Sequence, residues 1–143
     1  MPHHTTIRVL YGDTDAAGVV YYANYLRYFE IGRTEWMRCQ GRTYRELEKE
    51  GLILPVIECG CRYKKPARYD DLLTIETILV EARSVCCRFN YRILRREEDD
   101  ARPVLLARGF TSHAPVDRNG RLARFPAELL AELRGSLTEP ADK

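Results

Sequence analysis

The sequence predicts a single α+β domain in which one antiparallel sheet packs against a long, mostly apolar helix. Three observations carry this expectation. At 143 residues the chain has room for one substantial core and not comfortably for two. A segment starting at Tyr25 has helical spacing and is apolar around most of its girth. Segments before and after it alternate apolar and polar residues as strands do, with turn residues between them.

Taken in order, residues 6–11 put Ile7, Val9 and Tyr11 at alternate positions, the pattern of a half-buried strand. After a glycine-flanked turn, Tyr25, Leu26, Tyr28, Phe29, Ile31, Gly32, Trp36 and Met37 cover a wide apolar arc, and Arg27, Glu30, Thr34 and Arg38 form a narrow polar stripe. Neighbours must wrap such a helix. Gly41 stops it, and Thr43 with Glu46 forms a capping box for a short second helix ending near Gly51. Ile53–Lys64, Leu72–Ala82, Val85–Arg96 and Val104–Ala114 then read as strands, separated by Pro66–Asp71, Arg83-Ser84 and the acidic Glu97–Asp100. Cys87, Phe89, Tyr91 and Ile93 alternate with Arg88, Asn90 and Arg92, so one sheet face is buried and the other polar. Asn119-Gly120 marks a turn, and Pro126 opens a final helix over Ala127–Arg134. The chain after Gly135 is expected to fray, and His3 and His4 to lie on a mobile terminus.

Lys and Arg number 23 against 21 Asp and Glu, too small an excess to imply nucleic-acid or membrane binding from bulk charge. Any anion site must be local. No segment has the length of a membrane span or the pattern of a signal peptide, which reads as a cytoplasmic protein. The five cysteines lack Cys-x-x-Cys spacing and nearby histidines, so they are expected to be reduced and structural. Nucleophile-elbow, phosphate-loop and His-Glu-x-x-His motifs are absent. Ser112 and His113 are strand neighbours on opposite faces and do not make a catalytic pair.

The chemistry concentrates in Tyr11-Gly12-Asp13-Thr14-Asp15-Ala16-Ala17-Gly18-Val19-Val20-Tyr21-Tyr22-Ala23-Asn24-Tyr25. A turn between strand and helix sets carboxylates close to the unpaired amides of a helix N-terminus, a geometry usable for acyl transfer. Each residue also has a plain structural role open to it. Asp15 suits an Asx turn or a helix cap, Gly18 a positive-φ turn, and Asn24 the N-cap. Asp13 either organises the loop or bears on Asp15 by like-charge repulsion. Two carboxylates without further ligand spacing are a poor case for a metal.

This run, with Arg33-Thr34-Glu35 in the helix and Lys65-Pro66-Ala67-Arg68-Tyr69-Asp70-Asp71 before the later strands, resembles the hotdog-fold acyl-CoA thioesterases of the 4-hydroxybenzoyl-CoA and Tol-Pal-associated type. The likeness covers about residues 5–134. It implies a hotdog fold, a five-stranded antiparallel sheet wrapped around a long central helix. It places the catalytic carboxylate at Asp15, as nucleophile or general base, and an oxyanion-binding backbone N–H at Tyr22, with Gly18 beside them. It implies acyl-CoA as substrate, no cofactor beyond the coenzyme A of that substrate, and a homodimer assembling to a homotetramer with sites at the subunit interface.

Asn24, Tyr25, Lys65, Arg83, Ser84 and Arg124 are the candidate substrate-binding residues. Arg83-Ser84 and Arg121–Phe125 correspond to strand-edge loops of the family, and Lys or Arg there suit the phosphates of coenzyme A. Tyr25 equally suits the core, and with Tyr21, Tyr22, Tyr28 and Phe29 it suits an aromatic acyl pocket. Arg33 and Glu35 fall inside the apolar arc, either as an interface ion pair or, for Glu35, as a second carboxylate of the site. Two other readings stand beside hydrolysis: a non-catalytic acyl-thioester-binding or assembly protein of the same fold, and a dehydratase acting on acyl carrier protein, which lacks a suitably placed histidine.

Overall fold

Alternation of apolar and polar residues becomes five strands in one fully antiparallel sheet of order β1-β3-β4-β5-β2. In the computed structural model, which describes residues 2–96 and 102–140, the strands are β1 (His3–Arg8), β2 (Val56–Tyr63), β3 (Leu72–Arg83), β4 (Cys86–Arg96) and β5 (Pro103–His113). The helices are α1 (Asn24–Cys39), α2 (Tyr44–Lys49) and α3 (Ala127–Gly135). The acidic segment Glu97–Asp100 lies outside the described residues. Among the described residues no helix is long and apolar enough to cross a membrane.

The 16-residue α1 lies against β1, β3 and β4. Phe29 stacks on Tyr91 at 4.4 Å, and Trp36 meets Phe89 edge-on at 5.2 Å. Leu73, Ile75, Leu79, Ile93 and Leu106 complete a buried layer between sheet and helix. Gly32 sets the helix backbone close to β3: a Cβ there would stand 2.5 Å from Thr77 Oγ1 and 2.6 Å from Ile75 Cγ2. Thr43 caps α2 by accepting the Glu46 N–H at 3.2 Å, as the capping-box pattern anticipates.

Four expectations are corrected. The first strand starts at His3, not residue 6, because β3 is long enough to give backbone partners to His3–Thr6, whose polar side chains carry no hydropathy signal. His3 and His4 are therefore strand residues. Tyr11 leaves the strand pattern for a one-turn 3-10 helix and is 77 % exposed. The chain beyond Gly135 does not simply fray: the Thr138 N–H donates to Leu79 O at 2.9 Å, so the tail is tied to β3 at that point.

Candidate active site

Between β1 and α1 the chain folds into a small hairpin. The Asp15 N–H donates to Val19 O at 2.9 Å, the Tyr21 N–H to Asp13 O at 2.9 Å, and Thr14 bridges Val20. Its tip is a turn closed by the Gly18 N–H on Asp15 O at 3.0 Å, with Gly18 at φ +81°. That φ favours glycine, and a Cβ there would meet open space. The Val20 N–H reaches Ala67 O at 2.8 Å, which docks the hairpin on the Lys65–Asp71 loop.

The two carboxylates have different surroundings. Asp13 is 6 % exposed, and its side chain accepts from the Leu10 N–H at 3.0 Å, the Tyr28 hydroxyl at 3.0 Å and the Arg27 guanidinium. Its carbonyl accepts the Asn24 Nδ2–H at 2.8 Å. Asp13 is thus the organiser of the loop, one of the two roles open to it in the sequence. Asn24 orders the turn rather than capping the helix, whose N-cap is Ala23. Asp15 is exposed, and its Oδ1 accepts the Ala17 N–H at 2.8 Å, an Asx turn. Its other carboxylate oxygen has no hydrogen-bond partner among the described residues.

The chain enters α1 through Tyr21 and Tyr22, which are 43 % and 63 % exposed. Among the described residues the Tyr22 N–H meets no acceptor, while Tyr22 O accepts the Tyr63 hydroxyl at 2.9 Å. Burial pushes the Tyr63 phenol up to about 12, so it stays a donor across the ordinary pH range. Tyr63 also packs edge-on against the rings of Tyr22 and Tyr25. Sequence reading missed Tyr63; its distance along the chain from Tyr22 hides the contact, and only the strand assignment of β2 hinted at its position.

Other candidates fall elsewhere. Tyr25, Tyr28 and Phe29 are at most 3 % exposed and belong to the core, so of the five aromatic residues only Tyr21 and Tyr22 border the turn openly. Lys65 lies near the turn, two residues before the Ala67 that holds the hairpin. Arg83 and Ser84 lie at the opposite end of β3, a 12-residue strand spanning about 40 Å. There Arg83 pairs with Glu81, and Ser84 O accepts the Phe125 N–H, which brings Arg124 to that same end. One chain therefore does not gather Arg83, Ser84 and Arg124 around Asp15. Glu35 pairs with Arg38 about 16 Å along the helix from Asn24, so it does not join the turn, and Arg33 donates to the Tyr44 hydroxyl at 3.1 Å.

His113 is fully buried, held by Thr111 Oγ1 at 2.8 Å and Leu54 O at 3.1 Å. Burial first, and then the Arg33 charge, lower its pKa to about 4. The unfolded chain then takes up a proton below pH 6.5 that the folded state refuses until about pH 4. Stability is accordingly full above pH 6.5 and declines toward pH 4, by about 3 kcal/mol from this group. Denaturant melts at pH 7 and pH 4 are expected to show this loss in the wild type and a smaller one in His113→Gln.

A family model described as the thioesterase-like superfamily matches residues 9–133. The chain belongs to that superfamily. It is 41 % identical over 128 residues to the acyl-CoA thioesterase YbgC of Haemophilus influenzae, covering 87 % of this chain and 89 % of that protein. Its fold superposes on protein TT1821 of Thermus thermophilus with a TM-score of 0.87 at 34 % identity, covering 97 % and 100 % of the two chains. It also superposes on an aspartate-to-asparagine mutant of 4-hydroxybenzoyl-CoA thioesterase in complex with 4-hydroxybenzoyl-CoA, with a TM-score of 0.83 at 25 % identity and coverage of 92 % and 97 %. The five-stranded antiparallel sheet is that of the hotdog thioesterase fold.

Proposed function

We propose that this thioesterase-superfamily protein hydrolyses acyl-CoA thioesters at the Asp13–Asn24 hairpin. The observation that carries the reading is that one short hairpin holds both an exposed carboxylate at Asp15 and an N–H at Tyr22 that meets no acceptor among the described residues. Hydrolysis needs both parts. Acting as base, Asp15 takes a proton from a water that attacks the thioester carbon; acting as nucleophile, it forms an acyl anhydride that water then opens. In either route the carbon–sulfur bond breaks, the coenzyme A thiolate leaves and is protonated, and the acid is released. The Tyr22 N–H stabilises the charge building on the carbonyl oxygen, an effect worth about 2.7–4 kcal/mol for one well-placed donor. No cofactor is required beyond the coenzyme A of the substrate.

Tyr63 steadies this donor from the neighbouring peptide. Its hydroxyl holds the Tyr22 carbonyl, which belongs to the Tyr22–Ala23 peptide, and so restrains the residue whose N–H faces the substrate oxygen. Losing a hydrogen bond of about 1 kcal/mol predicts a fall in kcat of about fivefold for Tyr63→Phe, with KM little changed. A KM effect without a kcat effect would instead make Tyr63 a substrate contact.

In one chain the turn is open, and exposed Tyr11, Tyr21, Tyr22 and Tyr69 surround it. Edge strand β2 also exposes Val56 and Ile57. These surfaces support a homodimer, assembling to a homotetramer, in which a partner closes the site. Arg83, Ser84 and Arg124 contact coenzyme A only if assembly brings that end of β3 to another protomer's turn. Release of free coenzyme A, followed by chromatography across short-chain, long-chain and aromatic acyl-CoAs, tests the activity and names the acyl class. Binding of acyl-CoA without release on any substrate would favour the non-catalytic binding protein.

A further inference from the structure

The sheet face turned away from α1 carries a row of charges set by strand register. His4, Glu76, Arg92, Arg108 and Arg62 stand opposite one another across β1, β3, β4, β5 and β2. Glu76 is already engaged: it accepts from Arg92 Nε at 2.8 Å and Nη2 at 2.9 Å, and lies 3.3 Å from His4 Nε2. Arg108 therefore faces an arginine on either side, and among the described residues neither Arg108 nor Arg62 has a carboxylate partner. Like charges directly opposite on a sheet destabilise it unless a counter-charge sits between them. Strands about 4.8 Å apart spread the three guanidinium groups over about 10 Å, a span suited to linked phosphates.

One row along, the face changes character. Arg88 Cζ lies 3.8 Å over the centroid of the Phe110 ring, and a guanidinium held against a ring can stack a planar base. Asn90 Oδ1 is buried nearby, without a hydrogen-bond donor among the described residues. Both border one cavity of about 520 Å³ that also takes in Arg62, Arg92 and Arg108, a size typical of small-ligand sites.

We propose that this face binds a nucleoside diphosphate, with its phosphates across Arg108 and Arg62, beside the Glu76-paired Arg92, and its base stacked on Arg88. The site lies on the opposite side of the sheet from α1 and is independent of the hydrolysis proposed above. Calorimetric titration of the full chain with ADP, pyrophosphate and adenosine tests it, with circular-dichroism melts confirming that variants fold. Binding of ADP is expected to exceed that of either fragment, to weaken at least tenfold in Arg108→Gln, and to be unchanged in Asp15→Asn. ADP binding that Arg108→Gln leaves intact would place the nucleotide elsewhere and overturn the proposal. So would absence of binding at millimolar ADP, including the case where Arg108→Gln instead changes the oligomer size and marks the face as a contact between copies.

Discussion

Asp15→Asn is expected to lower kcat on acyl-CoA by about 10²–10⁴-fold, the range lost when a positioned base or nucleophile is removed. The asparagine keeps an oxygen for the Ala17 N–H that Oδ1 accepts at 2.8 Å, so the Asx turn persists and the melting temperature should stay close to that of the wild type. KM should change little, since the substitution alters a charge at the reacting atoms rather than the binding surface. This combination separates the catalytic role from the structural one. A residue that only shaped the turn would tolerate asparagine with nearly full activity.

Asp13→Ala is expected to produce the largest loss of stability near the site. Three donors converge on the Asp13 carboxylate, and one of them, the hydroxyl of Tyr28, belongs to a side chain only 1 % exposed. Alanine leaves that hydroxyl buried without an acceptor and releases the Leu10 N–H and Arg27. The cost is about 3 kcal/mol, or a fall in melting temperature of about 10 °C for a chain of this size. Because the Asp13 carbonyl receives Tyr21 and Asn24, loosening the loop should also lower activity while Asp15 is intact. Thermal melts by circular dichroism measure the first effect, and a shift under about 2 °C would show that the network contributes little.

Much of this architecture can be read from the residues because single-element patterns carry it. Strands β3, β4 and β5 fall within one residue of the alternation pattern, and α3 within one of its Pro126 start and Gly135 end. The polar stripe of α1 holds as well, with Arg27, Glu30 and Arg38 exposed. What alternation does not reveal is pairing. His3–Thr6 become a strand only because β3 extends past them, and the Tyr63–Tyr22 bond joins residues 41 apart. The same limit explains Arg83, Ser84 and Arg124: residue type suggested phosphate contacts, but the length of β3 carries them away from Asp15. Residue type alone does not tell Asp13 from Asp15; the family resemblance singles out Asp15, and burial and partners mark Asp13 as the loop organiser and Asp15 as the exposed acid.

The most direct test of the proposed site is a crystal structure of Asp15→Asn soaked with the acyl-CoA that the wild type hydrolyses fastest. The expected result places the thioester carbon about 3–3.5 Å from the residue-15 side chain and the thioester oxygen about 2.7–3.1 Å from the Tyr22 nitrogen. A thioester bound away from this hairpin would contradict the account.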